Sequence, residues 1–204
     1  FLLPETVFDV DLQMGVEGHG DGVEVTTYLP AADARQSIVS EMSGSGELAA
    51  RIDMVDGNRV ATWKAANLDG ERSLHYGYRV RTEGERYDIS PDFIVGEDTV
   101  NADIATLAPT DSIQSTADEI VALSRQLMPT ERRLADYLRA AFDLVQALGF
   151  KPFKGTTDAL TALRLHEASC NGRSRLFAAL MRAQGIPARL VGGLVLESTS
   201  KKTS

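Results

Sequence analysis

A cysteine at the point where a loop becomes a helix can act as a nucleophile, and Cys170 has that setting. It follows Glu167-Ala-Ser169 and precedes a periodic apolar stretch through Leu176, Phe177, Leu180 and Met181. A thiol there faces the positive end of a helix dipole and unpaired backbone N–H groups. Both favour the thiolate, the form that attacks a carbonyl. Such a thiol needs a base within hydrogen-bond reach, and the base needs an orienting carboxylate. The histidines are His19, His75 and His166, and all precede Cys170. His166 lies close enough before it for a loop to fold it back; an exposed loop histidine is the plainer reading. His19, between Gly18 and Gly20, reads as a turn tip, and His75 alternates outward on a strand. Arg173, Arg175, Arg182 and Arg189 cluster on the same helix and the segment after it. They could bind a carboxylate or serve as helix-surface charge, and Arg189 is expected in a structural ion pair. Arg173 and His166 are the candidate ligand-binding residues around the thiol.

Other chemistry is weakly signalled. One cysteine excludes an intramolecular disulfide and a multi-cysteine zinc site. Three scattered histidines lack the spacing of a metal site. Glu17 to Gly22 lacks the carboxylate spacing of a calcium loop and reads as a hairpin turn. Ser43-Gly-Ser-Gly46 lacks the Lys-Ser/Thr of a phosphate loop. Neither a cofactor nor a metal is implied. Trp63, Tyr76 and Tyr78 read as core rather than a sugar platform.

Cys170, the run Phe177-Ala-Ala-Leu-Met-Arg-Ala-Gln-Gly-Ile-Pro-Ala-Arg189, and Val191-Gly-Gly193 together resemble the core of the transglutaminase-like superfamily. In that family a cysteine opens a helix and G-I-P-A-R follows fifteen residues later, the separation of Gly185 from Cys170. Thr157-Asp-Ala-Leu160 and Leu163 look like the helix before the family cysteine. More narrowly, the chain resembles the inactive transglutaminase domains fused to seven transmembrane helices. That resemblance implies a bacterial inner-membrane parent, embedded through segments outside this sequence, with this part in the periplasm. It departs from the active pattern: Ala168 stands where active members have Gly, Arg173 where they have an aromatic, and no histidine follows Cys170. The resemblance therefore implies a non-catalytic sensor or binding domain that holds a peptide or amide-like ligand. The alternative is a cysteine transglutaminase, peptidase or amidase whose His and Asp lie beyond Ser204.

The elements that must position these residues fall into two compositional halves. From Phe1 to about Ala108 the chain alternates with period 2 between Gly-containing turns: Phe8 to Val16, Val23 to Leu29, Arg51 to Val55, Arg59 to Lys64, and Leu74 to Val80. Asp56-Gly57 is a hairpin signal. Strands without helical stretches suggest an antiparallel β-sandwich-like domain. A linker is expected near Pro91 to Pro109. Beyond it, Thr116-Ala-Asp-Glu119 fits a capping box, and Ile120, Leu123, Leu127 and Met128 form a stripe. Thr130 could cap the next helix, whose Leu134, Leu138, Ala141, Phe142, Val145 and Leu148 recur at helical spacing. Thr157 or Asp158 could cap a short third helix. Ala188 to Leu196 reads as a strand, and Ser198 to Ser204 as loop. The expected class is α+β: a β-sandwich-like domain over 1–108, then the helical part of a papain-like transglutaminase fold over 109–204, truncated at its C-terminal sheet. An apolar edge at Leu190 to Leu196 would favour a homodimer or strand swap.

Charge narrows the function classes. There are 21 Lys+Arg against 29 Asp+Glu, for a net charge of −8. Nucleic-acid binding and adhesion to anionic lipid both need clustered cations, so neither is expected. No apolar run reaches the roughly 18 to 20 residues of a membrane helix, and no signal peptide is present. The start at Phe1 suggests a piece of a longer protein.

Overall fold

The structure, a computed structural model, describes residues 5–43, 48, 50–84, 86–96, 104–152 and 157–195. Strands come first and helices after, in an α+β arrangement. The glycine-rich 44–46 and the tail 198–204 lie outside the described residues. The chain divides into two units, Phe1–Tyr87 with Gly193–Ser204, and Asp88–Gly192.

The first unit is an antiparallel sheet built around one long strand. β4 (Asn58–Glu83) pairs along its length with β1 (Glu5–Tyr28). On its other side it pairs with β2 (Gln36–Ser43) near its end and with β3 (Arg51–Val55) near its start. The β3–β4 turn is the predicted hairpin, with positive φ at Asp56 (49°) and Gly57 (76°), as a two-residue type I′ turn requires.

A straight strand rises about 3.3 Å per residue, so Arg59 and Tyr78 would lie far apart. They do not. Arg59 donates to both carboxylate oxygens of Glu41 (2.6 and 2.8 Å), and Glu41 is registered opposite Tyr78. The sheet is therefore doubled over. Leu29, Ala61, Trp63, Leu74, Tyr76, Tyr78 and Val80 form one core between its halves, with the Tyr76 and Tyr78 rings 5.8 Å apart.

The bend corrects the expected turn at Glu17 to Gly22. The chain does not reverse there; β1 runs through, with register irregularities between His19 and Asp21 and between Asp21 and Val23. Gly18 is registered against Gly70, and Gly20 and Gly70 have φ of 84° and 76°. These glycines let two paired strands bend together. His19 is an exposed strand residue, not a turn tip.

The Arg59–Glu41 bridge ties the two layers and gives them a pH limit at each end. The Arg59 guanidinium holds the Glu41 carboxyl below its ordinary 4.5. A depressed folded pKa contributes stability that is complete above the unfolded value and is lost as pH falls below about 4.5 through the folded one. Burial first, then the Glu41 carboxylate, push the Tyr76 phenol up to about 12. A raised pKa contributes stability complete below the unfolded value near 10, and lost as pH climbs toward 12. Thermal melting against pH is expected to show both losses. Glu41→Gln should remove the acid step specific to this bridge, and Tyr76→Phe the alkaline one. Unchanged profiles in both variants would contradict this assignment.

Among the described residues of the second unit, α1 (Asp118–Leu127), α2 (Leu134–Ala147) and α3 (Ala159–Leu165) pack around α4 (Cys170–Ala183). Ile120, Tyr137, Ala141, Val145 and Ala162 bury against Leu176, Ala179, Leu180 and Met181. Leu176, Ala179 and Leu180 stand at i, i+3 and i+4, the spacing that puts side chains on one helix face.

Four local expectations fail here. The capping box does not form: α1 is capped by Ala117 without a side-chain bond, because Glu119 reaches Arg164 on α3 instead (2.9 and 3.1 Å). Thr130 does not cap α2. That helix starts later, after Arg132 in the left-handed region (φ 54°). Part of the expected linker is bonded into the unit: Val95 donates to Arg132 O (2.9 Å), and Leu134 donates to Phe93 O (2.8 Å). Finally, residues 188–195 form no strand. Glycines at 192 and 193 weaken strand propensity, and no neighbouring strand pairs with this segment among the described residues. Leu190, Val191, Leu194 and Val195 are exposed. No described helix is long and apolar enough to cross a membrane.

Candidate functional site: the start of helix α4

The approach to Cys170 is fixed by a small parallel pairing that periodicity could not reveal. β5 (Gly149–Phe150) runs beside β6 (Glu167–Ala168). Gly149 donates to His166 O (3.0 Å), and Lys151 donates to Ala168 O (3.1 Å). α3 is capped at its start by Asp158, which accepts from Thr161 N (2.8 Å). It ends at His166, whose φ of 52° turns the chain into β6.

α4 then begins at Cys170. Ser169 is its N-cap, accepting from Gly172 N at 3.4 Å, and Arg173 N closes the first helical bond on Ser169 O (3.0 Å). A serine directly before a helical run is a legible cap signal. Cys170 is a free, exposed thiol at the first helical position. Among the described residues its sulfur makes no hydrogen bond, and no imidazole is bonded to it. His166 is exposed and near in sequence, but its observed bonds are through its backbone.

The floor beneath this turn is steric. A Cβ on Gly172 would meet Ala168 Cβ and Thr157 Cβ at 3.0 Å. Ala168 is accommodated because Gly172 has no side chain. Thr157 is 4% exposed, and its hydroxyl has no partner among the described residues.

Arg173, Arg175 and Arg182 are spent on backbone carbonyls rather than on acids. Arg173 donates to Leu148 O, at the C-cap of α2, and its guanidinium lies 5.8 Å over the Phe150 ring. A cation at a helix C-terminus is favoured by the dipole. Arg175 donates to Thr157 O (2.9 Å). Arg182 donates twice to Ala188 O (2.9 and 2.6 Å) and once to Ala108 O. The ion pair expected at Arg189 is absent among the described residues. Arg189 is exposed, and it is Arg182 that fastens the segment.

The G-I-P-A-R run thereby acquires a mechanical meaning. Gly185 (φ 73°) donates to Arg182 O and Ile186 to Met181 O, both at 3.0 Å. That is a Schellman stop, which needs a left-handed residue at Gly185. Pro187 prevents continuation.

Two family models match the chain. The transglutaminase-like superfamily matches residues 114–203. The family described as inactive transglutaminase fused to 7 transmembrane helices matches residues 4–148. Cys170 thus falls inside the first match and outside the second. No curated protein matches. Among solved structures, one described as a candidate cysteine protease from Cytophaga hutchinsonii aligns with a TM-score of 0.67 over 92% of this chain. Its identity is 17%, and this chain spans 66% of its length. That likeness speaks for the fold.

Proposed function

Because the chain belongs to the family of inactive transglutaminases fused to seven transmembrane helices, we propose that it is a binding or sensor domain that holds a peptide or amide-like ligand at the start of α4 without cleaving it. Its parent is a bacterial inner-membrane protein, and the domain faces the periplasm. One observation carries the reading. Cys170 is an exposed thiol at the first position of a capped helix, and among the described residues no imidazole is bonded to it. A positioned base supplies typically 10²- to 10⁴-fold of rate. A thiol without one can still border a site where a carbonyl docks.

The reading that keeps catalysis, with His and Asp drawn from beyond Ser204, is favoured by the shared fold with a candidate cysteine protease. One experiment separates the two. In the full-length protein in native membranes, a glutaminyl dipeptide amide should slow iodoacetamide alkylation of Cys170 at least about threefold and be recovered intact. Ammonia release or dipeptide cleavage that is lost in Cys170→Ser would overturn the binding reading. A membrane-impermeant maleimide should label Cys170 once the outer membrane is opened; labelling only after the inner membrane is broken would overturn the periplasmic placement.

A further inference from the structure

The outward face of the long sheet carries a second constellation, far from the cysteine in sequence. Side chains two apart on a strand share a face, and so do registered partners on neighbouring strands. β1 and β4 are registered as Gly15 with Ser73, Gln13 with His75, and Asp11 with Gly77. This places Ser73, His75, Asp11 and Gln13 on one patch, on the face opposite buried Leu74, Tyr76 and Tyr78.

Their contacts are directional. Ser73 Oγ lies 3.0 Å from His75 Nε2. The other ring nitrogen, Nδ1, faces Asp11 Oδ1 at 3.9 Å. That is longer than a hydrogen bond. The second Asp11 oxygen accepts from Gln13 Nε2 (2.8 Å), which fixes the carboxylate plane. With the proton on Nδ1, Nε2 is the acceptor and the Ser73 hydroxyl the donor. The sequence of contacts is hydroxyl, imidazole, carboxylate, an arrangement recognised by geometry and roles rather than by fold.

Space is available beside the hydroxyl. Gly15, registered opposite Ser73, has nothing within 4 Å of where a Cβ would stand. Gly77 meets only backbone oxygens at 3.8 and 3.9 Å. The patch is open to solvent, with His75 39% and Asp11 56% exposed at the side chain.

We propose that Ser73 is a base-assisted nucleophile that accepts an acyl group from an activated ester or thioester. Its Oγ forms a bond to the acyl carbon as its proton passes to His75 Nε2. The bond from that carbon to the leaving oxygen or sulfur breaks, and the leaving group takes the proton from His75. Water then attacks the acyl-serine with His75 as base, giving the free acid and restoring the hydroxyl. No oxyanion donor is invoked in this step. One such donor is worth 10² to 10³ in rate, which confines the activity to donors with good leaving groups.

The test is acetylation by p-nitrophenyl acetate at pH 8 after the exposed Cys170 thiol has been blocked with iodoacetamide, read by peptide mass and by p-nitrophenolate release. Ser73 should carry the acetyl group ahead of every other serine. His75→Gln should slow its labelling at least about tenfold, and Ser73→Ala should abolish the burst of p-nitrophenolate. Both residues face solvent, so the variants should melt with the parent chain. Labelling confined to lysines, a burst that survives Ser73→Ala, or equal Ser73 labelling in His75→Gln would each overturn the proposal.

Discussion

Alanine at Gly18 is expected to cost the strand-rich unit on the order of 3 kcal/mol, at the upper end of overpacking penalties. An ideal Cβ there would stand 2.3 Å from Leu68 O, 2.6 Å from Leu68 Cβ and 2.7 Å from Leu68 C. Two of those atoms are backbone, and no rotamer change can clear them. Leu68 is itself buried, at 5% exposure, so the strand cannot simply lift away. Gly15, three residues earlier on β1, is the internal control. With nothing within 4 Å of its virtual Cβ, Gly15→Ala removes only backbone freedom and should be neutral or stabilise by about 0.5 kcal/mol. For a unit of this size, 1 kcal/mol moves Tm by about 4–8 °C. Gly18→Ala should therefore melt at least about 10 °C lower, and Gly15→Ala within a few degrees of the parent. Equal melting of the two variants would mean that the doubled sheet does not depend on close approach at Gly18.

That bend marks the limit of what the sequence discloses. Period-2 alternation correctly assigned Leu74, Tyr76, Tyr78 and Val80 to the inner face, because face is a local property of a strand. It could not say that Gly18 and Gly20 bend a continuous strand rather than reverse it. A glycine cluster permits either, and the choice lies in the register against Leu68 to Gly70. The same limit hid the patch at Ser73. The i, i+2 relation to His75 is written in the sequence, but Asp11 arrives only through a register sixty residues away. In the helical unit, the onset at Cys170 and the stop at Gly185 were legible because caps and stops are chemically distinctive. The capping box at Thr116 was not safe, because Glu119 had a tertiary competitor in Arg164. Arg173 and His166 were proposed around the thiol from proximity in sequence. The fold commits the Arg173 guanidinium to Leu148 O and Phe150, and His166 to a backbone turn.

The far end of α4 offers the second large effect. Gln184 N–H would take the Leu180 carbonyl in a continued helix, but it goes to Met181 O instead (3.0 Å). Leu180 O is claimed from outside: Tyr137 Oη donates at 2.7 Å, and Ser124 Oγ lies at 3.2 Å. Ser124 also contacts Tyr137 Oη (2.8 Å) and accepts from Gln184 Nε2 (2.8 Å). Three helices thus share one buried polar knot, with Ser124 and Tyr137 fully buried. Burial, the leading influence, pushes the Tyr137 phenol up, so the hydroxyl keeps its proton and remains a donor. Tyr137→Phe leaves the carbonyl and the serine short of a partner, and leaving a buried group unsatisfied costs about 1–3 kcal/mol. Ser124→Ala should cost a similar amount, because Gln184 and Tyr137 lose the same partner. The two together should cost clearly less than their sum, since each breaks the knot the other relies on. Additive losses in urea denaturation would show that the contacts are independent. Alkylation of Cys170, at the opposite end of the helix, should keep its parent rate in both folded variants. A changed rate would mean that the knot sets the position of the thiol as well as the stability of the unit.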